Sequence, residues 1–590
     1  MQVTSKTAYT GADLIADFIE KHLCKKVFLV TGGACAFIVD AIGRKTDLEY
    51  VCFQHEQSAA MAADAVWRTT GKIGVTVATS GPGATNLITG IACSWFDSIP
   101  SFHITGQVNE EESREFNKSN ARQIGFQETD IVSMVSGITK WAHKVKNSED
   151  LVDSLIKALE QALDGRMGPV LLDVPMNIQK MEISENLMRK ALGFNLTSET
   201  YQPKIELNLA SIFEKSLRPL VVIGAGLGLS QQAKNAQDWC EKFQIPYVTS
   251  WGGLTHIERE KPNYFGSIGV YGNRKANFVT QSADKIIVLG SRLDNRQRTG
   301  NPKAFAPFAE IHVFDIDKEE LSKFENEPNY IIHHYDLRNF AELTLNGIDS
   351  TEHVKWVEQL KNINLETGFK FSTKENELNP YESVKLIQEK VAQNAIVVSD
   401  CGANLCWVYQ AFEPSSSYLF TAGGNSPMGY SLPAAIGAQL LNPESQVICF
   451  IGDGGLQMNL QELQTITSNQ LPIKIFIQNN NGYGIIKQFQ DANFSSRYFA
   501  SGDGYTTPDF AKIADAYGIA YYKITTIEEV KKLSIKQDGA VIYDLIHPQN
   551  ALITPKTETD HFIHDQFPYI KDGSNEKLPY KYPNKPSTLV

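Results

Sequence analysis

The sequence predicts an α/β protein of three consecutive, doubly wound, mostly parallel-sheet domains. Three observations carry that expectation. The chain has 590 residues, 42% of them hydrophobic, and single cores stop growing beyond about 250–300 residues. Short β-rich runs alternate with longer helical patterns in each of three segments, the signature of parallel sheets crossed by helices. In the first and last segments a strand runs into a glycine-rich loop and then a small-residue helix, a repetition that the middle segment lacks.

The first segment covers residues 1–180. Its apolar runs Lys26–Val30, Gly74–Ala78, Ser101–Thr105 and Val170–Asp173 predict buried strands, and its repeated unit is TSGPGATNLITG at 79–90. The second covers 190–345, with strands predicted at Leu220–Ile223, Lys285–Leu289 and Ile311–Phe314. The third covers 375–560, with strands at Ala395–Ser399, Gln446–Ile451, Ile473–Gln478 and Ala540–Leu545, and FIGDGGLQMNLQEL at 450–463 as its repeated unit. Polar stretches near 181–205 and 346–378 read as linkers. After Pro548 the chain is rich in Pro, Asp, Lys and Tyr and has no period. This stretch, with a terminal tail at 561–590, is expected to wrap over the surface or to order over a site. Two similar domains with complementary loops imply one ligand held between them.

A net charge of −12 with 21% charged residues argues against nucleic acid as a partner, since phosphate backbones need clustered Lys and Arg. It leaves room for an anionic small substrate in a locally basic pocket. The eight cysteines (Cys24, Cys35, Cys52, Cys93, Cys240, Cys401, Cys406 and Cys449) form no CxxC pair or metal-ligand cluster, and read as thiols of a reducing compartment. The first residues lack the basic and apolar regions of a signal peptide, and no apolar stretch is long enough to span a bilayer. A cytoplasmic protein without membrane contact is expected.

The strongest chemical signal is Gly452-Asp453-Gly454, followed after 24 residues by Asn479-Asn480. Each closes an apolar strand, and neighbouring parallel strands set their C-terminal ends side by side, where ligands bind. Asp453 and Asn480 therefore offer two hard oxygens to one small cation such as Mg²⁺, which completes its octahedron with diphosphate oxygens and water. Gly452, Gly454 and Gly455 let the backbone approach that diphosphate at a helix N-terminus.

This pattern resembles the cofactor motif of thiamine-diphosphate-dependent enzymes. Further segments resemble their acetolactate synthase large-subunit branch: TGGACAF (31–37), QHEQSAAMAADA (54–65), ATSGPGATNLITGIACSWFDSIP (78–100), ITGQV (104–108), GFQETDIV (125–132), ITKWAH (138–143) and AGGNSPMGYSLPAAIGA (422–438). The resemblance implies a pyrimidine-binding first domain, a central domain and a diphosphate-binding third domain. It places Glu56 beside N1′ of the aminopyrimidine. A carboxylate there favours the imino tautomer at N4′, which takes the proton from C2 of the thiazolium; the carbanion then attacks a 2-oxo acid such as pyruvate, and the ring accepts the electrons released with CO₂. By the same resemblance Met428 bends the cofactor, Ser426 contacts the pyrimidine through its carbonyl, and the Gly482 carbonyl joins the metal. Pro82, Asn86, Gly402, Asn404, Tyr483, Gly484 and Ile485 complete the cofactor shell. Gly33, Phe126, Gln127 and Lys140 match carboligation residues, and Phe489 the position that selects the acceptor. Glu56 of one subunit would face the Gly-Asp-Gly and Asn-Asn motifs of another, which implies a homodimer or homotetramer.

The middle segment carries VVIGAGLGLS (221–230), a glycine-rich turn after a strand that is weak alone. FGSIGVYGN (265–273), LGSRLDNR (289–296) and HVFDIDKEEL (312–321) resemble the segments with which acetolactate synthases hold FAD as a non-redox cofactor. That implies Gly224, Gly226, Thr249, Gly269, Val270, Tyr271, Gly290, Arg292, Asp294, Arg296, Asp315 and Ile316 as FAD contacts, with Arg292 and Arg296 on its diphosphate or on a substrate carboxylate. A middle domain that keeps the fold without flavin stays open, whereas an NAD dehydrogenase is disfavoured because no catalytic His/Lys set accompanies the turn.

Several features depart from that branch. Nineteen residues separate Gln107 from Gln127, including the charged NEEESREFNKSNARQ; the acceptor-selecting tryptophan is Phe489; the Gln-His pair at the diphosphate reads Ala403-Asn404; and the tail is long. These features leave three acceptors open for the two-carbon unit: a second 2-oxo acid, a keto-sugar nucleotide, or a proton, as in a simple decarboxylase. A catalytically silent scaffold is disfavoured by the presence of Glu56, Asp453 and Asn480.

Overall fold

The computed structural model describes residues 8–196, 209–343, 350–365, 377–413, 417–570, 577–583 and 585–588. It contains three six-stranded parallel sheets. The first is built from β1 (Lys26–Leu29), β2 (Glu49–Cys52), β3 (Gly74–Ala78), β4 (Ser101–Gln107), β5 (Trp141–Lys144) and β6 (Val170–Pro175), in the order β2-β1-β3-β4-β6-β5. The second takes β7 (Pro219–Ile223), β8 (Tyr247–Thr249), β9 (Tyr264–Ser267), β10 (Lys285–Leu289), β11 (Glu310–Asp315) and β12 (Tyr330–His334), ordered β12-β11-β10-β7-β8-β9. The third takes β13 (Ile396–Ser399), β14 (Tyr418–Phe420), β15 (Val447–Gly452), β16 (Lys474–Asn479), β17 (Ala520–Ile524) and β18 (Val541–Ile546), ordered β14-β13-β15-β16-β18-β17.

The first and third sheets thus share one strand order, which extends to topology the repetition seen in the glycine-rich loops. The middle sheet has the dinucleotide-fold order, in which strand order reverses between β7 and β10 and opens a crevice at their C-terminal ends. Gly224 follows β7 and Gly290 follows β10; a Cβ on Gly224 would lie 2.1 Å from the Gly290 carbonyl oxygen. Only glycine allows that approach.

The first and third domains share one apolar core. Its centre is the crossing of helix Glu56–Thr70 with helix Ser431–Leu441. The first begins at His55, whose ring accepts from the Gln57 N–H at 3.1 Å, and ends at Gly71 with φ +68°. Alanines fill the contact, and a Cβ on Gly437 would lie 2.4 Å from the Ala62 carbonyl oxygen. At the ends of this crossing Ser58 donates to Asn459 at 3.1 Å, and Arg68 pairs with Asp64 and Asp97 at 2.7 and 2.8 Å.

Both predicted linkers hold packed helices. Glu185–Gly193 inserts Ala191 into the first domain's core, and Thr351–Asn362 inserts Trp356 and Leu360 into the middle domain's. Apolar spacing within a polar stretch is enough to dock a helix. Residues 197–208 and 366–376 of those linkers lie outside the described residues. The tail fastens the middle domain to the third: Trp407 donates to the Leu552 carbonyl at 3.1 Å, Thr557 to that of Val270 at 2.7 Å, and Arg274 to that of Gln566 at 2.9 Å.

Two buried groups in the first sheet titrate against each other. His103 lies between the Thr76 and Ser101 hydroxyls at 2.7 and 2.9 Å, and burial pushes its pKa from 6.5 down to about 3. Asp173 accepts from Thr105 at 2.7 Å and Gln107 at 2.9 Å, yet burial prevails and pushes it from 3.8 up to about 7. The unfolded histidine protonates below about 6.5 while the folded one stays neutral, so His103's contribution to stability is lost as pH falls toward 3. The folded Asp173 keeps its proton to about pH 7, so its contribution is full below 3.8 and is lost as pH rises. Between pH 5.0 and 6.5 the parent is expected to lose about 2 kcal/mol relative to Asp173→Asn by chemical denaturation. A difference independent of pH would contradict this.

Candidate active site

Asp453 opens the short helix after β15, and Asn480 follows β16 directly. Both are buried, at 3% exposure. Asp453 Oδ2 accepts the Gly482 N–H at 3.1 Å, and burial pushes its carboxyl up to about 6. Among the described residues Asn480 Nδ2 has no hydrogen-bond partner. A side-chain amide presents oxygen in place of nitrogen after a half-turn, so the pair forms a buried polar recess suited to a cation. Among the described residues no three His, Cys, Asp or Glu side chains form a metal cluster. A metal here therefore needs amide, carbonyl and ligand oxygens beside the single carboxylate, which is the donor set of Mg²⁺ with a diphosphate.

Around the recess the glycines keep space open. A Cβ on Gly454 would lie 2.6 Å from the Tyr483 ring and 3.2 Å from Met428 Cε, and one on Gly484 would lie 2.7 Å from the Asn480 amide. Gly402, at φ +76°, begins the helix after β13 and faces Ile485. Gly452 caps the helix after β15. Gly455 backs onto Asp400, whose carboxylate accepts the N–H groups of Cys401, Gly429 and Ser431 at 2.9–3.0 Å. Asp400 thereby fixes the Ser426–Gly429 turn to β13, a role that nothing local in the sequence marks.

The pyrimidine-side residues converge on the loop after β3. Glu56 accepts from Asn86 Nδ2 at 2.9 Å, and a Cβ on Gly83 would lie 3.1 Å from its Oε1. Pro82 starts the helix that carries both Gly83 and Asn86. Gln127, at φ +63°, backs onto Gly81, while Phe126 is 84% exposed and Gly33 has open space at its α-carbon. Among the described residues Glu56 itself makes no hydrogen bond to the third domain, while its neighbours Gln57 and Ser58 donate to Asn459 at 3.5 and 3.1 Å and the Gln54 N–H donates to Glu462 at 3.2 Å.

A cleft of about 800 Å³ opens among all three domains. Gly226, Tyr271, Gly290 and Arg292 line it, as do Asp294, Arg296, Asp315 and Ile316; Gly402, Ser426 and Ile485 reach it from the third domain. Sequence reasoning missed Arg166, which lines the cleft while paired with Asp317 at 2.8 Å and Glu320 at 2.9 Å. It also missed an aromatic wall in which Trp251 packs on Tyr409 at 5.1 Å and Tyr271 at 6.4 Å. GRMGP around Arg166 was a visible signal; the lone Trp251 was not. The glycine floor, aromatic wall and Asp315 carboxylate at a strand end fit a flavin dinucleotide.

Other expectations are corrected. Lys140 lies at the N-terminal edge of the first sheet, opposite the loop after β3, and its ammonium donates to the Asp164 and Arg166 carbonyls at 2.9 and 2.8 Å. Asn404 spends its side-chain NH₂ on Ser399, Asp400 and Phe450 oxygens at 3.1–3.3 Å, so its side chain ties strand ends together. Thr249 is fully buried against the Tyr264 and Ser267 hydroxyls, behind the cleft. Gly224 lies behind the cleft surface, against Gly290. Gly269 bonds through its backbone to Asn277, and Val270 to Arg296 and Thr557, so both support Tyr271 instead of facing a ligand. Phe489 is not among these corrections: it is 52% exposed on helix Gly484–Phe494 beside Phe494.

Two domains of one topology, each with a glycine-rich loop at its strand ends, and a dinucleotide-ordered domain between them in sequence define a protein of three α/β domains built on the plan of a cofactor-dependent enzyme. Residues 9–134, 208–335 and 400–542 match the N-terminal TPP binding, central and C-terminal TPP binding domains of thiamine pyrophosphate enzymes. The chain is 33% identical over 553 residues to the acetolactate synthase large subunit of Cyanidium caldarium, covering 91% of this chain and 93% of that one. It is 31% identical to that of Lactococcus lactis subsp. lactis (strain IL1403), covering 92% and 94%, and 32% identical to the isozyme 1 large subunit of Escherichia coli (strain K12), covering 88% and 89%. The chain belongs to the thiamine pyrophosphate enzymes, on their acetolactate synthase large-subunit branch.

Proposed function

We propose that this enzyme decarboxylates pyruvate and joins the two-carbon unit to the carbonyl of a second 2-oxo acid. It uses thiamine diphosphate and Mg²⁺, with FAD in the interdomain cleft. The observation that carries this reading is the pairing of a buried Glu56 at the first-domain loop with the Asp453–Asn480 recess at the matching position of the third domain. When bound, thiamine diphosphate supplies the carbon that accepts the electron pair freed as CO₂ departs.

The chain's own residues do the rest. Glu56, oriented by Asn86, holds a proton at the pyrimidine N1′. Asp453, Asn480 and the Gly482 carbonyl hold the cation, and Gly454 and Gly455 admit the diphosphate. Met428 props the cofactor from below. Phe126, Gln127, Gly33 and Phe489 shape the acceptor's side. Trp251 and Tyr271 would hold FAD in the cleft, where it would be structural and keep the three domains at fixed spacing. The eight cysteines are all free thiols, which suits a reducing, cytoplasmic setting. Among the described residues no helix is long and apolar enough to cross a membrane.

We place the two halves of each site on different subunits of a homodimer or a homotetramer built from it. Large apolar side chains stand exposed beside both halves: Phe126 at the first, and Phe499, Met458 and Ile486 at the third. A second copy covers both at once. The acetolactate synthase names of the relatives favour the 2-oxo acid acceptor over a keto-sugar nucleotide or a proton. The charged 109–123 segment folds back on its own domain through Glu110–Asn177 and Arg114–Glu128 contacts, which suits an ordinary entrance wall. Incubation with pyruvate, Mg²⁺ and thiamine diphosphate is expected to yield acetolactate, with one CO₂ released for each. Acetaldehyde as the product, or turnover only after addition of a keto-sugar nucleotide, would overturn the acceptor assignment.

A further inference from the structure

Tyr505 belongs to none of the glycine-rich or amide motifs, yet it meets them at their centre. Its hydroxyl faces the Asp453 carboxylate and accepts a hydrogen bond from Gln457 Nε2 at 3.3 Å. Its ring packs on that of Tyr483 at 4.5 Å, tilted by 58°. The hydroxyl lies 3.2 Å from where a Cβ on Gly454 would be.

The segment that delivers Tyr505 is itself anchored. Tyr483 N–H donates to the Ser501 carbonyl at 3.0 Å, Ser501 Oγ bonds to Gln490, and Tyr505 N–H donates to Gly502 at 3.1 Å through a turn with Gly504 at φ +80°. Asp453 thus accepts the Gly482 N–H on Oδ2 and has the Tyr505 hydroxyl beside its carboxylate. Contacts on two sides restrict rotation of a carboxylate about its Cβ–Cγ bond. The lone pairs left over keep one direction, toward the recess that Asn480 shares.

We propose that Tyr505 is a positioning residue for a divalent cation of the Mg²⁺ class: its hydroxyl orients Asp453 for ligation, and Gln457 braces the hydroxyl. The inference rests on the reading of Asp453 and Asn480 as the metal ligands. Hydrogen bonds to ligating carboxylates commonly set metal affinity by about 10–100-fold.

Tyr505→Phe keeps the ring on Tyr483 and removes only the hydroxyl. Calorimetric titration of Mg²⁺ into full-length protein with saturating thiamine diphosphate is expected to give a Kd weaker by about 10–100-fold than the parent's. Excess Mg²⁺ should restore the parent's affinity for thiamine diphosphate, with an unchanged melting temperature. Gln457→Leu should weaken Mg²⁺ in the same direction but less. An unchanged Mg²⁺ Kd in Tyr505→Phe, or a cofactor defect that excess Mg²⁺ does not rescue, would overturn the inference. A parent protein whose thiamine diphosphate binding ignores Mg²⁺ would instead strike the metal assignment itself, and the inference with it.

Discussion

Glu56→Gln is expected to lower turnover of pyruvate by about 10²–10⁴-fold, the usual scale of one acid–base group. The variant should fold as the parent does. Gln Oε1 still accepts from Asn86, and the helix start at His55 is untouched. What is lost is the ionised oxygen that favours a proton on the pyrimidine ring. Exchange of the cofactor's C2 proton into deuterated buffer, followed by NMR, isolates that step from later chemistry. It should slow in parallel with turnover. Exchange at the parent rate would remove Glu56 from the mechanism.

Asp453→Ala is expected to abolish Mg²⁺-dependent binding of thiamine diphosphate, so that calorimetry shows no saturable heat. The fold should survive. The substitution relieves a buried carboxyl already pushed up to about 6 and leaves the Gly482 N–H without its acceptor. These effects oppose one another, each on the order of 1–3 kcal/mol. Retained binding would show that the recess at Asp453 and Asn480 is not the metal site.

Central strands were legible to the residue because both faces are buried: β3 and β10 have the predicted bounds and are apolar runs but for Thr76 and Lys285. The edge strands were not. β2 reads Glu-Tyr-Val-Cys with three exposed positions, and β12 carries two histidines beside exposed Ile331 and Ile332. Neither shows the apolar run that marks a strand. Strands β8 and β9 are three and four residues long, too short for any period. The site followed the same rule. Asp453, Asn480 and the glycines stand in contiguous motifs, whereas Asp400, Trp251 and Tyr505 each enter singly from positions remote in sequence. Lys140 and Asn404 sit within matching motifs, but their side chains turn toward carbonyl and hydroxyl groups of their own domain.

A mixture of the two variants tests whether the halves of the site meet across subunits. Glu56→Gln and Asp453→Ala should each be inactive alone. When they are unfolded together and refolded, or co-expressed, half the dimers pair one with the other, and each such dimer contains one site free of both substitutions. Activity should therefore return to about a quarter of the parent's. If the mixture stays as inactive as its components although mixed dimers are present, the two half-sites do not complete each other between chains, and the account of the active site is wrong.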